Sequence, residues 1–306
     1  MGKIAFVFSG QGAQYSGMGR SLYQCSPAAK QLFDSAEQYR PGTKEQCFSG
    51  SAEELKQTKN TQPCIYLTEL SAALALGELG IQADACAGFS LGEIAALSYG
   101  GAYSHEAGFQ IVTLRGEAMQ QAAAEHDTAM AAVMKLDSET VEKVCREFPH
   151  VYPVNYNSPV QTVISGAREE LEQCKEKLSQ LPCRVMDLPV SAAFHSPYMN
   201  SASESFGRVL QSFSIVSPKL PIYSNTTASP YEKDVTGLMT IQMKNPVRWV
   251  DTIHNMIADG VTDFIEVGPG KTLCGLIKKI SPQVNLYHVE DETSLTETVK
   301  AVKERA

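Results

Sequence analysis

The amino-acid sequence predicts an α/β fold in which a parallel sheet is covered by helices and interrupted by a smaller inserted unit. Apolar strand-like runs alternate with helix-like segments from the first residues onward, and this rhythm changes in the middle of the chain. The length of 306 residues is long for one compact core and short for three. Length and rhythm therefore both favour one large domain that carries an insertion.

The larger unit is predicted from alternating strands and helices. A first apolar run covers Lys3 to Phe8, and a short strand from Ala83 to Phe89 leads into a helix that begins near Leu91. Further strands are predicted at 220–224, 263–267 and 284–288, and further helices at about 26–40, 62–79 and 104–124. We expect all of these strands to lie in one parallel sheet.

The inserted unit is predicted between residues 128 and 191, where the elements follow the order βαββαβ. Its strands are predicted at 130–135, 151–155, 162–165 and 184–188, and its helices at 138–148 and 168–180. Ser138 is the expected N-cap of the first helix, and Asn157 to Pro159 is the expected turn. This order is typical of a ferredoxin-like subdomain. The predicted domains are therefore 1–127 together with 192–306, and 128–191, with a cleft between them.

Charge and hydropathy limit the possible partners. The chain has 34 acidic and 26 basic residues, a net charge of -8 and a pI near 5.4, which disfavours nucleic acid as a partner. No apolar run approaches the roughly 20 residues that cross a bilayer. The first residues are expected to form a buried strand and not a signal peptide. We expect a cytoplasmic protein that binds neither nucleic acid nor a membrane.

Three patterns that resemble cofactor motifs are incomplete. The segment Gly10 to Gly12 lacks the third glycine of a dinucleotide fingerprint, and the segment Gly268 to Thr272 has Ile265 in place of the first glycine of a P-loop. His105-Glu106 has Phe109 where a zinc-binding helix has its second histidine. We expect no metal and no cofactor.

The segment from Gly88 to Gly92 reads GFSLG and lies between a predicted strand and a predicted helix. That context is required for a nucleophile elbow, because small residues allow a sharp turn that holds the serine hydroxyl at the edge of the sheet. The N-terminus of the following helix then faces a developing oxyanion. Ser90 is the candidate nucleophile. The alternative is a tight turn in which the serine only caps the helix.

A serine nucleophile needs a base, and His195 is the candidate among six histidines. The other five lie in or at the ends of predicted helices and strands. His195 lies instead in a loop of small residues, Ser191 to Pro197, where the inserted unit returns to the larger one and a cleft is expected. The alternative is a solvated loop histidine.

Arg115 and Gln11 are the candidates for substrate binding that the pattern alone suggests. Arg115 lies on a weakly apolar stripe of the predicted helix at 104–124, where a snorkelling side chain is the common interpretation. The functional alternative is a guanidinium that binds a substrate carboxylate.

Gln11 follows the first strand, and its N–H is a candidate oxyanion donor beside the N–H of Leu91. The alternative for Gln11 is an ordinary glycine-rich connection.

Seven short segments match one family in the right order. They are Gly10 to Gln14, Thr61 to Pro63, Gly88 to Glu93, Arg115-Gly116, Asn155 to Pro159, Ala193 to Pro197 and Glu266 to Gly270. Together they resemble the malonyl-CoA:acyl carrier protein transacylases, which include the free-standing acyltransferases of fatty-acid and polyketide synthesis. The resemblance covers nearly the whole chain. It implies a hydrolase-like α/β body with a ferredoxin-like subdomain.

The resemblance also implies a reaction, in which malonyl passes from coenzyme A to Ser90 as an ester and then to an acyl carrier protein. His195 would act as the base and later as the acid, and Gln242 would orient it through a carbonyl. Malonyl-CoA and an acyl carrier protein are therefore the expected partners of a chain that is expected to be monomeric.

The remaining roles concern substrate binding. By resemblance, Arg115 would bind the free malonyl carboxylate, and the N–H groups of Gln11 and Leu91 would form the oxyanion hole. The other expected substrate-binding residues are Gln62, Asn155 and Phe194. Phe194 is similar to the small-pocket, malonyl-type version of its motif, so branched acyl groups are not expected.

One residue departs from the family pattern, since Phe89 stands where the family usually has histidine. An apolar ring beside the nucleophile changes the polarity of the pocket wall, and acyl selectivity depends on that wall. Two other functions fit the sequence less well. A thioester hydrolase of the same fold would have no use for a carboxylate clamp, and a non-catalytic docking module would not need every catalytic residue.

Overall fold

A computed structural model describes residues 2–190 and 192–305 and contains two separate sheets. The strands are β1 Lys3–Phe8, β2 Ala85–Gly88, β3 Thr128–Met134, β4 Val151–Ser158, β5 Gln161–Ala167, β6 Arg184–Asp187, β7 Ile222–Tyr223, β8 Val261–Val267 and β9 Asn285–Val289. The helices are α1 Arg20–Cys25, α2 Pro27–Ala36, α3 Thr43–Ser49, α4 Ala52–Lys56, α5 Thr58–Glu78, α6 Gly92–Tyr99, α7 His105–Ala123, α8 Ser138–Cys145, α9 Arg168–Leu178, α10 Asn200–Leu210, α11 Val235–Gln242, α12 Trp249–Ala258, α13 Thr272–Ile280 and α14 Glu292–Lys303, with a 3₁₀ turn at Pro197–Met199.

The larger sheet has the strand order β7-β2-β1-β8-β9, and every neighbouring pair is parallel, as predicted. Both faces of β1 are buried, because Phe6 and Phe8 pack into one apolar cluster and Ala5 and Val7 into another. The edge strand β7 is shorter than the predicted 220–224. The next residue, Ser224, donates its N–H to the carbonyl of Ser229, so the chain turns away from the sheet after Tyr223.

The smaller sheet has the order β4-β5-β3-β6 with antiparallel pairs, which confirms the ferredoxin-like pattern. Two predictions about its details are wrong. The N-cap of α8 is Asp137 and not Ser138, because the carboxylate of Asp137 accepts the N–H of Thr140 at 2.8 Å. The predicted turn at 157–159 is displaced, because Ser158 still pairs with Gln161 and leaves only residues 159–160 to reverse the chain.

The segment just before α12 is hydrogen-bonded to the smaller sheet. Val247 donates its N–H to the carbonyl of Val154 at 2.8 Å and accepts the N–H of Tyr156 at 2.9 Å, so the edge strand β4 is tied to the larger unit. The subdomain has an apolar cluster of its own around Val133, Ile164 and further side chains of α8 and α9. The division into 1–127 with 192–306 and 128–191 stays a prediction, and Met1, Ser191 and Ala306 lie outside the described residues.

Across residues 2–190 and 192–305, none of the helices combines the length and the apolar character that a membrane crossing requires.

The turn after β2 requires its two glycines. A methyl group added at Gly88 would overlap main-chain atoms of Gly92 and Glu93, and one added at Gly92 would overlap the carbonyl oxygens of Phe8 and Ser9. Main-chain atoms of a central strand cannot move aside as a flexible side chain can. The glycines therefore allow α6 to start directly against β1, and this close approach fixes the position of residue 90.

We predict that Gly92→Ala destabilises the protein by about 1–3 kcal/mol, because the new methyl group has no space. Gly275→Ala is the matched control: Gly275 lies within α13 with nothing near the added methyl group, so this change should stabilise by roughly 0.5–1 kcal/mol. Urea unfolding of both variants measures the difference. Equal stabilities would show that the contact between α6 and β1 is not close-packed.

Candidate active site

Ser90 lies at the sharp turn between β2 and α6 and has a backbone φ of 55°. This left-handed conformation is rare for a residue with a side chain and costs on the order of 1–3 kcal/mol. The residue before α6 is Leu91, and no side chain caps this helix, so Ser90 does not serve as the cap that the alternative interpretation required. The turn instead directs the Ser90 hydroxyl toward a histidine.

The Ser90 hydroxyl lies 2.8 Å from Nε2 of His195. On the other side of the ring, Nδ1 lies 3.1 Å from the carbonyl oxygen of Gln242 and 3.0 Å from that of Asn245. Because a carbonyl only accepts hydrogen bonds, these two oxygens place the ring proton on Nδ1 and leave a lone pair on Nε2. The imidazole can then accept the serine proton.

His195 is 4% exposed, and its surroundings keep it uncharged. Burial, and after it the charge of Arg115, lower the pKa of the imidazole to about 4, although the two carbonyl contacts act in the opposite direction. A histidine with this pKa is neutral at physiological pH. It is therefore available as a proton acceptor, and it is not the solvated loop histidine of the alternative interpretation.

Arg115 of α7 is 0% exposed, which excludes the snorkelling interpretation. Its guanidinium donates to Oε1 of Gln62 at 2.8 Å and to Oε1 of Gln242 at 2.7 Å, and one nitrogen lies 3.3 Å from the Ser90 hydroxyl. Burial lowers the pKa of Arg115 to about 10, so the group still carries its charge at neutral pH. Among the residues that the structure describes, none of the ion pairs within 4.0 Å involves Arg115.

Two polar contacts of the site were missed by sequence reasoning. The side chain of Asn225 accepts the N–H of Ser90 at 2.8 Å, and the carbonyl of Asn245 shares the imidazole proton. Asn225 follows the predicted strand at 220–224, so its place at a carboxyl end of the parallel sheet was a usable signal. A main-chain carbonyl such as that of Asn245 gives no signal through residue type.

A cavity of about 100 Å³ lies against Ser90 and His195 and between the two sheets. Seven of the residues singled out from the sequence line it, namely Gln11, Gln62, Ser90, Leu91, Asn155, Phe194 and His195, and the other two, Arg115 and Gln242, contact Ser90. Within the described part of the chain, the N–H groups of Gln11 and Leu91 have no acceptor. A wider cavity of about 630 Å³ shares Gln11 and Phe194 with it.

Phe89 forms part of the cavity wall, beside the nucleophile turn. Its ring packs edge-on against Trp249 with 5.5 Å between the centroids, so it is held by the core of the larger unit. Phe89, which we expect to depart from the family pattern, therefore places an apolar surface in the pocket.

Comparison with known proteins identifies the family. The model of the acyl transferase domain matches residues 5–296. The chain belongs to this acyl transferase family. A malonyl CoA-acyl carrier protein transacylase of Bacillus subtilis (strain 168) is 38% identical over 312 residues, which cover 99% of this chain and 98% of the relative. The resemblance to these transacylases that the motifs suggested is confirmed.

Solved acyltransferase structures have the same architecture. The malonyl CoA-acyl carrier protein transacylase of Clostridium perfringens has a TM-score of 0.96 at 36% identity, covering 99% of this chain and 98% of that one. A malonyl-transacylase solved in complex with its type II PKS acyl-carrier protein has a TM-score of 0.93 at 31% identity, covering 98% and 99%.

We predict that Ser90 reacts with an uncharged sulfonyl fluoride at a rate that is constant around neutral pH and falls only below about pH 4. The neutral imidazole is the reactive form, so the rate is lost as the pH falls through this lowered pKa. In Arg115→Ala the nearby positive charge is gone, and the acid limb should move to higher pH. An acid limb at the ordinary imidazole value of 6.5 in both proteins would contradict the geometry.

Proposed function

We propose that this chain transfers a malonyl group from malonyl-CoA to the phosphopantetheine thiol of an acyl carrier protein, through an ester on Ser90. One observation carries the proposal: the Ser90 hydroxyl lies within 3.3 Å of both a neutral imidazole and a buried guanidinium. The first arrangement activates a nucleophile, and the second selects an acyl group that ends in a carboxylate. Full-length relatives that bear the transacylase name support it.

In the first half of the proposed reaction, Nε2 of His195 takes the Ser90 proton while Oγ attacks the thioester carbonyl carbon. The resulting oxyanion accepts hydrogen bonds from the N–H groups of Gln11 and Leu91, which line the cavity. When the tetrahedral intermediate collapses, the carbon–sulfur bond breaks and the imidazolium proton passes to the coenzyme A sulfur. The products are free coenzyme A and malonyl-Ser90.

The second half runs the same steps in reverse with a different thiol. Nε2 of His195 takes the proton of the phosphopantetheine thiol, and the sulfur attacks the ester carbonyl. Collapse of this intermediate breaks the bond to Oγ, and the proton returns to Ser90. A thioester is exchanged for a thioester, so the reaction needs no oxidant or reductant and no coupled hydrolysis of a nucleoside triphosphate.

Arg115 supplies the selectivity in this proposal. Its charge is buried at a cost, and a malonyl carboxylate would repay that cost with two charge-assisted hydrogen bonds. Gln62 and Gln242 hold the guanidinium plane through the contacts described above. Loss of one partner from such a buried pair costs about 2–5 kcal/mol, which is enough to separate malonyl from acetyl.

Two further residues line the acyl pocket. Phe194 narrows it and so disfavours branched acyl groups. Asn155 has a buried side-chain oxygen without a partner among the described residues, and this oxygen would accept a hydrogen bond from an amide of the pantetheine chain. The wider cavity would hold the rest of that chain.

The thioester hydrolase is not favoured. A hydrolase that clears acetyl or longer chains gains nothing from a buried, unpaired guanidinium, and the full-length relatives are transacylases. Monomeric state, cytoplasmic location, the absence of nucleic-acid partners and the two domain boundaries remain predictions.

We predict that the protein incubated with malonyl-CoA gains one malonyl group, detected by intact mass, and passes it to a phosphopantetheinylated carrier protein. Ser90→Ala should gain none. Peptide mapping must place the ester on Ser90. A label elsewhere, or release of free malonate faster than transfer to the carrier, would reject the transacylase.

Arg115→Ala tests the selectivity with the same assay. We expect kcat/KM for malonyl-CoA to fall by an amount that corresponds to a loss of about 2–5 kcal/mol of transition-state stabilisation. Acetyl-CoA should become a relatively better substrate. Arg146→Ala is the matched control, because Arg146 is exposed and, among the described residues, its one ion pair is with Glu142 at the surface. Unchanged preference for malonyl in Arg115→Ala would contradict the proposed clamp.

A further inference from the structure

Asn225 lies directly behind the nucleophile turn and is 1% exposed. Its side-chain oxygen accepts the N–H of Ser90 at 2.8 Å, and its side-chain nitrogen donates to the carbonyl of Gly88 at 2.6 Å. One amide therefore bonds to the main chain on both sides of Phe89, within the turn itself. Both atoms of the amide are used, so its orientation is determined.

The main chain of Asn225 is fixed as well. Its N–H donates to a carboxylate oxygen of Glu93 at 2.5 Å, and its carbonyl accepts the N–H of Arg248 at 3.0 Å. Glu93 is 1% exposed on the first turn of α6, and its other oxygen accepts the hydroxyl of Tyr231. Glu93, on the helix α6 that follows Ser90, thus fixes the main-chain N–H of Asn225.

The same amide connects the serine to the segment that orients the base. Gln242 donates its side-chain N–H to the carbonyl of Ser90 at 2.7 Å and lies 3.4 Å from the oxygen of Asn225. The segment from Gln242 to Arg248 also contains the two carbonyls that hold His195. Asn225 is therefore bonded both to the turn that carries Ser90 and to the segment that carries the acceptors of the imidazole.

Ser90 and His195 need such contacts because of their backbone conformations. Ser90 and His195 both have left-handed backbone conformations, with φ of 55° and 61°, and neither conformation is favourable for a residue with a side chain. Strained residues persist only where the surroundings hold them. A displacement of about 1 Å between reacting groups costs on the order of 10² in rate.

We propose that Asn225 is a positioning residue that sets the distance between Ser90 and His195, and that Glu93 holds Asn225 in place. Neither residue contacts substrate or donates a proton in this role. The inference rests on the proposed role of Ser90 as nucleophile. It does not depend on which acyl group the serine receives.

Asn225→Ala tests the inference with two reagents, malonyl-CoA and an uncharged sulfonyl fluoride. Both label Ser90, but only malonyl-CoA needs Arg115. We expect Asn225→Ala to slow both reactions in the same proportion, on the order of 10²-fold per folded molecule, with kcat reduced and KM nearly unchanged. The folded fraction is measured by thermal denaturation of each sample.

Asn285→Ala is the matched control. Asn285 also donates a side-chain N–H to a main-chain carbonyl, that of Thr262 at 3.3 Å, but this contact lies near the start of β8, at the opposite end of the parallel sheet from Ser90. Ser90 should be labelled at the wild-type rate in this control.

Glu93→Gln is the second variant. It leaves every atom that contacts Ser90 unchanged and removes one of the two carboxylate oxygens that accept hydrogen bonds from Asn225 and Tyr231. It should slow both reactions in the same direction and to a smaller extent.

If Asn225→Ala does not fold, Glu93→Gln decides alone. Labelling of folded Asn225→Ala and of Glu93→Gln at the wild-type rate would overturn the inference, as would a change in KM with kcat preserved. If the wild-type protein reacts with the sulfonyl fluoride and not with malonyl-CoA, the proposed function is rejected. The rates with the sulfonyl fluoride then still test the role of Asn225.

Discussion

The contact between the Ser90 hydroxyl and Nε2 of His195 is the interaction on which the rest of the site depends. The two residues are far apart in sequence and lie 2.8 Å apart in space. Each is held in an unfavourable backbone conformation. The close approach of α6 to β1 fixes the serine, and the carbonyls of Gln242 and Asn245 fix the imidazole. These contacts therefore hold both residues in conformations that they would not adopt by themselves.

The buried charge of Arg115 acts on this contact in two ways. It helps to keep His195 neutral, so that the imidazole can accept a proton, and it places beside the serine a guanidinium that has no ion pair within 4.0 Å among the described residues. Glu93 is the nearby buried acid, and burial raises its pKa to about 7, so this carboxyl is only partly charged at neutral pH. The site consequently has a positive character that suits a ligand with its own carboxylate. An acetyl group would leave that charge unpaired.

The parallel sheet and the inserted subdomain could be predicted from sequence, because each depends on local pattern. Ser90, His195, Arg115, Gln11 and Leu91 were candidates from pattern, whereas Gln62, Gln242, Asn155 and Phe194 were expected in the site only through the family resemblance. Alternation of apolar runs predicts strands and helices, and the GFSLG segment predicts a turn whose glycines are sterically required. The snorkelling interpretation of Arg115 was wrong because an apolar stripe does not reveal which polar side chains will face it across the core.

Other features depend on partners that sequence does not name. The N-cap at Asp137 depends on its bond to the N–H of Thr140, and the end of β7 depends on the bond from Ser224 to the carbonyl of Ser229; residue type alone does not reveal either contact. The role of Asn225 needs the fold to bring β7 beside β2. Main-chain carbonyls orient His195, and any residue type could supply them.

The protonation state of His195 tests the central claim most directly. Nitrogen-resolved NMR of histidine-labelled protein at neutral pH reports which ring nitrogen carries the proton, and His195→Ala assigns the signal. The account predicts a neutral ring with the proton on Nδ1 and a free lone pair on Nε2, facing Ser90. A charged imidazolium, or a neutral ring with its proton on Nε2, would contradict it.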